Sequence, residues 1–277
     1  MAQQQSHAKL RAMMTALAAA TAYLVGAFHL ARLAWIPDYP RQTGLLIGGV
    51  GALLHFALHA DSWRVSGGPD LHFLSAASLV GLGMAALTVF AAQKQRLEAL
   101  GVVVFPLAAL TLLAYALVGF GSGQASETLD WGIRLHAVLA LLAYATLAVA
   151  SVLAVMLWLQ ERALRQRRFT ATLRALPPLT QLELLLFRSI GAGFALLTLA
   201  LITGLVFVDD LLAQHLVHKT VLSVMAWLVF GGLLFGRWRF GWRGRRAVQL
   251  TLIATALLAL AFFGSKFVME IILRRGL

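Results

Sequence analysis

Apolar residues fill the chain in eight long blocks, at about residues 12–33, 43–60, 72–92, 99–120, 132–159, 185–208, 216–236 and 247–271. Each block is close to the ~20 apolar residues with which a helix crosses a bilayer. No block alternates apolar and polar positions with period two. The blocks therefore read as helices, which satisfy their own backbone in lipid, and not as barrel strands. No polar segment between them is long enough to fold alone. Residues 1–277 thus read as a single transmembrane domain, an all-α polytopic integral membrane bundle of about eight helices. The opening MAQQQSHAKLRAMM leads straight into the first block without a small-residue cleavage site, so that block reads as a span and not a signal peptide.

Composition agrees with the pattern. Hydrophobic residues make up 60% of the chain and charged residues 12%, where a soluble domain carries about 25% charge. The formal net charge of +12 is concentrated. Loop 160–184 carries five arginines and loop 237–246 five more, whereas loops 121–131 and 209–215 hold only acids: Glu127, Asp130, Asp209 and Asp210. Positive loops stay in the cytoplasm. The basic charge is thus a topology signal, the partner it implies is the lipid bilayer, and no nucleic-acid partner is indicated. Eight spans then place both termini outside, and the fifth span enters from the outer side. Loop 160–184 reads as an anchor, with residues 161–173 as an interfacial helix against anionic lipid. The chain has no cysteine. That excludes disulfides, iron–sulfur clusters, thiolate ligation, thiol shuttling and covalent haem attachment by this chain.

Six of the eight histidines fall in one outer layer of this topology: His55, His59, His72, His136, His215 and His218. One histidine near a helix end finds water or a carbonyl and needs no further explanation. Six together point to a functional interior, because ionisable groups within a membrane are costly. His55 and His59 are four residues apart and His215 and His218 three apart, so each pair shares a helical face. Facing imidazoles in a bundle suit a metal ion or a haem iron. The spans contain almost no Asp or Glu and no methionine cluster, as a bare-metal transporter would. Arg64, Arg134 and Lys219 at the same level suit an anionic ligand such as haem propionates. Six of the seven tryptophans sit near predicted interfaces, where a belt accounts for them. No Ser/His/Asp order, HExxH or glycine loop after a strand occurs, so no catalytic residue is assigned and an enzyme is not supported.

Three segments resemble the cytochrome c assembly family of haem-handling membrane proteins. The first is WGIRLHAVLALLAYATLAVASVLA, with His136 opening a helix and Ala143-Tyr144-Ala145 following. The second runs from Leu176-Pro177-Pro178-Leu179 through Glu183, Gly193-Phe194 and Leu197-Thr198 to Thr203-Gly204. The third is Gly241-Trp242-Arg243-Gly244-Arg245-Arg246-Ala247. The likeness is strongest over residues 131–277. It implies a multi-pass protein of a bacterial inner membrane that holds haem b at the outer side, with haem- or apocytochrome-handling membrane proteins as partners. His136 is then one axial ligand of the iron and Arg134 a propionate partner. His218 is the second ligand by topology, with His215 as its substitute. His55 is the alternative, by its resemblance to the family's transmembrane ligand. The family's tryptophan-rich segment is absent before the seventh span, where the chain reads DDLLAQHLVHKTVLSVMAW, and no histidine follows the last span. This is similar to the YpjD-type branch, which lacks that motif. The competing reading is a non-haem membrane scaffold or transporter subunit that kept the fold without the cofactor.

The orientation is testable in a chain without native cysteine. Cysteine introduced at Ser126 should react with a membrane-impermeant thiol reagent in intact cells, and cysteine at Thr170 should not. The reverse pattern would place the basic loops outside.

Overall fold

The computed structural model describes residues 2–36, 40–66, 72–94, 98–119, 130–167, 176–207 and 214–264. Eight long helices account for nearly all of them, with no strand among the described residues: α1 Ala2–Ala31, α2 Arg41–Ser66, α3 Phe73–Lys94, α4 Glu98–Ala114, α5 Trp131–Arg165, α6 Leu179–Phe207, α7 Gln214–Phe240 and α8 Gly244–Ala259. All eight contain a segment long and apolar enough to span a membrane. The expected polytopic helical bundle is the observed one. π-helical turns extend α4 over Tyr115–Gly119 and α8 over Leu260–Gly264.

Several boundaries differ from the apolar pattern, and two of them show their cause. α6 begins at Leu179, six residues before the expected 185. Pro178 starts it, its carbonyl accepting from the Gln181 and Leu182 amides, since proline's fixed φ suits a helix start. α5 runs on to Arg165 and ends where Arg167 turns to a φ of +54°. Its 35 residues give a length of about 52 Å, well beyond a hydrocarbon core of about 30 Å. Both ends of α5 therefore reach the polar zones. Of the interfacial helix expected over residues 161–173, residues 161–165 are the last turn of α5, and 168–175 lie outside the described residues.

The chain divides into two compact units, Met1–Leu129 with Phe169–Pro177, and Asp130–Arg168 with Pro178–Leu277. In the first unit α1 packs on α2 and α4, and α3 packs on α4 and α2. Glycines set the closest approach. A Cβ on Gly26 would lie 2.9 Å from the Gly48 amide nitrogen, and one on Gly48 would enter the Phe105 ring. Without a hydrophobic drive between helices in lipid, backbone approach of this kind supplies the packing contacts.

In the second unit α5 packs along α6 and α8, and α7 packs on α6 and α8. The buried face of α6 is a stripe at helical spacing, Leu182, Leu186, Ile190, Gly193, Leu197, Ala200 and Gly204. α5 lies antiparallel along it: Gly132 meets Phe207, His136 meets Gly204, and Leu147 meets Gly193.

Two glycines separate packing from propensity. Gly26→Val should overpack the α1–α2 crossing and destabilise by about 1–3 kcal/mol, seen as a lower melting temperature in detergent. Gly191 has open space where a Cβ would stand, with nothing within 4 Å. It should accept alanine with no loss of melting temperature, because helix propensity rises.

Candidate functional site

His136 lies in the second turn of α5, which Asp130 caps by accepting the Trp131 amide at 2.8 Å. Its ring is turned onto α6. Nδ1 is 2.8 Å from the Ala200 carbonyl oxygen. A carbonyl only accepts, so Nδ1 carries the proton and donates, and in the neutral form of this tautomer Nε2 is the bare nitrogen. The Thr203 hydroxyl stands 3.5 Å from Nδ1, with bonds of its own to the Leu199 and Ala200 carbonyls at 2.9 and 3.0 Å. The ring reaches this carbonyl because Gly204 has no side chain. A Cβ there would lie 3.0 Å from His136 Cε1 and 3.2 Å from Nδ1. The imidazole is half-buried, and Arg134 is exposed on the preceding turn. Trp131 is 66% exposed and meets Phe207 edge-on at 4.9 Å, which gives this end of the α5–α6 pair an aromatic rim.

The arrangement has the features a haem ligand needs. A histidine that ligates metal donates its other N–H to a carbonyl or carboxylate, which fixes the ring and raises its basicity. Ala200 supplies that partner and Gly204 the cradle. The residues therefore fit an imidazole-ligated iron.

Other positions singled out in the sequence acquire physical roles in the same unit. Gly193 accepts the Leu147 side chain, 2.6 Å from where a Cβ would stand. Phe194 stacks on Trp227 at 5.4 Å, and Thr198 accepts the Trp227 indole N–H at 2.8 Å. Tyr144 donates to the Leu258 carbonyl at 2.9 Å, beside the π-turn of α8. Glu183 accepts from the Gly244 amide at 3.2 Å and pairs with Arg243 at 3.7 Å, holding the start of α8. His215 and His218 lie on α7 near its start, but their side chains fall outside the described residues.

His55 belongs to the first unit and has a different setting. It is fully buried, as is His59, 2% exposed one turn later; they are the only buried histidine or charged side chains among the described residues. Their rings stack at 5.4 Å, and His59 stacks in turn on Tyr115 at 5.0 Å. Both Nε2 atoms converge on the Ser78 hydroxyl of α3, at 2.8 Å from His55 and 3.0 Å from His59. Tyr23 of α1 lies 3.3 Å from His55 Nδ1, and Tyr115 lies 3.3 Å from the Ser62 hydroxyl. Among the described residues His59 Nδ1 has no hydrogen-bond partner. Protons on both Nε2 atoms let Ser78 accept twice and Tyr23 donate to His55. The only unpaired site on the two rings is then a lone pair, which costs less than an orphaned N–H.

Two rings stacked on one face of α2 cannot take opposite sides of one porphyrin, and both nitrogens of His55 are engaged. His72 is half-buried at the start of α3. Among the described residues no three His, Cys, Asp or Glu side chains gather as a metal cluster. Helical spacing places His55 and His59 on one face but does not reveal Ser78, Tyr23, Tyr115, Ala200 or the cradle role of Gly204. The available signal is the cost of two imidazoles in apolar spans, which demands polar partners from neighbouring helices.

The family model described as "Cytochrome C assembly protein" matches residues 71–273. The chain is 34% identical over 208 residues to inner membrane protein YpjD of Escherichia coli K12, covering 74% of this chain and 77% of that one. It is 41% identical over 143 residues to a 28.8 kDa protein in the nifR3-like 5' region of Azospirillum brasilense, 51% of this chain and 53% of that one. It is 28% identical over 86 residues to the cytochrome c biogenesis protein CcsA of Synechococcus sp. CC9605, 30% of this chain and 28% of that one. No solved structure matches the chain.

The Ser78 junction makes a sharp stability prediction. Ser78→Ala strips both Nε2 atoms of their partner, and a buried unsatisfied group costs roughly 1–3 kcal/mol. The variant should melt well below wild type in detergent. An unchanged melting temperature would mean the three side chains are not joined.

Proposed function

The chain belongs to the cytochrome c assembly protein family, and we propose that it handles haem b at the outer side of a bacterial inner membrane, with His136 as one axial ligand. The observation that carries this reading is the Nδ1–H donated by His136 to the Ala200 carbonyl over Gly204. It leaves Nε2 bare and its direction fixed. Bound there, haem would supply a low-spin iron centre when two imidazoles ligate it.

The second ligand is proposed on α7: His218 first, with His215 as substitute. His55 is the remaining alternative, and both its ring nitrogens are engaged by Tyr23 and Ser78. Arg134, exposed at the start of α5, is the proposed propionate partner, since guanidinium pairs with carboxylate in forked geometry. Membrane proteins that handle haem or apocytochrome are the proposed partners, by the family's description. A second reading is favoured by one specific observation. The residues before and within α7 lack the family's tryptophan-rich segment, which suits a scaffold that kept the fold and no longer carries haem.

Absorption spectra of the purified protein decide between them. The haem reading expects sharp α and β bands on reduction, lost in His136→Ala. Gly204→Val, which pushes the ring off its carbonyl, should weaken haem binding roughly 10–100-fold, the usual cost of losing a ligand's supporting bond. An unaltered spectrum and haem content in His136→Ala would overturn the assignment. A colourless protein that takes up no added haem would establish the scaffold reading.

A further inference from the structure

A cleft of about 280 Å³ lies where the end of α5 meets the start of α8, lined by Trp158, Glu161, Arg162, Arg165, Gln166 and Arg245. Its chemistry is cationic. Three guanidiniums from two helices face one acid, Glu161, whose Oε1 lies 2.8 Å from where a Cβ on Gly244 would stand, at the start of α8. Gly244 has a φ of +54°, so the tight entry to α8 needs glycine on conformational grounds too.

The arginines of α5 have an ordinary explanation, because cations complement a helix C-terminus. Arg245 does not. It sits in the first turn of α8, where the helix dipole is positive and where no acidic residue is present. A cation there is electrostatically uphill unless an anion stands beside it. Glu183 serves Arg243 and the Gly244 amide, and Glu161, the one acid lining the cleft, is outnumbered there by three guanidiniums.

The walls say what carries that anion. Arg162 lies over the Trp158 ring, 5.4 Å from its centroid, which fixes the guanidinium at an interfacial tryptophan. Away from the loop, about one turn beyond Trp158 and two beyond Arg245, the same faces continue as exposed apolar surface, Val155 on α5 and Leu252 on α8. A soluble phosphate would have no use for these walls. We propose that this cleft binds the headgroup of an anionic diacyl phospholipid, its phosphodiester held by Arg162, Arg165 and Arg245 and its acyl chains laid along Val155 and Leu252.

The test is native mass spectrometry of the full-length protein from detergent, with phosphatidylglycerol or phosphatidylcholine added in equal amounts. Wild type should retain phosphatidylglycerol in preference. Arg162→Gln with Arg245→Gln should cut that retention by about fivefold per arginine, the order of one surface cation's attraction to an anionic lipid. Arg239→Gln, which removes an equal charge outside the cleft, should leave it unchanged. Equal retention of the two lipids, or equal loss in Arg239→Gln, would overturn the site. So would displacement of the lipid by millimolar inorganic phosphate, which would make it a soluble-anion site. If the double variant does not fold, the wild-type preference and the phosphate competition still decide.

Discussion

The haem site proposed for the second unit depends on how closely α5 and α6 approach. Gly193, Ala200 and Gly204 interrupt the leucine and isoleucine stripe of α6 with small residues, and α5 lies along it antiparallel with Leu147 at one glycine and His136 at another. In lipid the hydrophobic effect does not drive helices together, so small residues that let backbones meet carry the association. The same contact that packs the helices gives the imidazole its carbonyl. Packing and site therefore rest on one feature, and a side chain at Gly204 would disturb both. Tyr144 and Ser151 extend the anchoring of α5 to α8, through the Leu258 carbonyl at 2.9 Å and the Thr255 hydroxyl at 2.7 Å.

The two histidine settings differ in chemistry. His136 is half-buried with Nδ1 tethered to the Ala200 carbonyl. His55 and His59 are sealed inside the first unit and engaged by Ser78 and Tyr23. A buried polar network costs little when its members satisfy one another and much when one is lost. The first arrangement is suited to receiving a ligand. The second ties α2 to α3 through a shared hydroxyl and to α1 through Tyr23.

Apolar block lengths alone predict the eight helices, because a membrane leaves the backbone few options. Boundaries escape where the pattern carries no apolar signal. The start of α6 is set by Pro178, and α5 extends through ERALR on local helix propensity, past its last buried residue, Gln160. His136 is legible because it opens a helix beside an arginine in a segment with a family likeness. Its partners are not, since a carbonyl and a missing side chain leave no chemical mark in a sequence. Thr203-Gly204 reads only as a matched pair, and its reason emerges once α5 lies against it. Ser78 is invisible for a related cause: one serine among small residues in α3 looks like packing until two imidazoles point at it.

The central claim is that His136 is held with a protonated Nδ1 and a bare Nε2 ready for iron. Solid-state NMR of the reconstituted, haem-free protein, with ¹⁵N-histidine and ¹³C-carbonyl alanine, reads this directly once the His136 signals are assigned through His136→Ala. The account predicts a neutral ring, protonated at Nδ1, with through-space transfer from that nitrogen to the Ala200 carbonyl carbon. A ring protonated at Nε2, or one without transfer to Ala200, would contradict it.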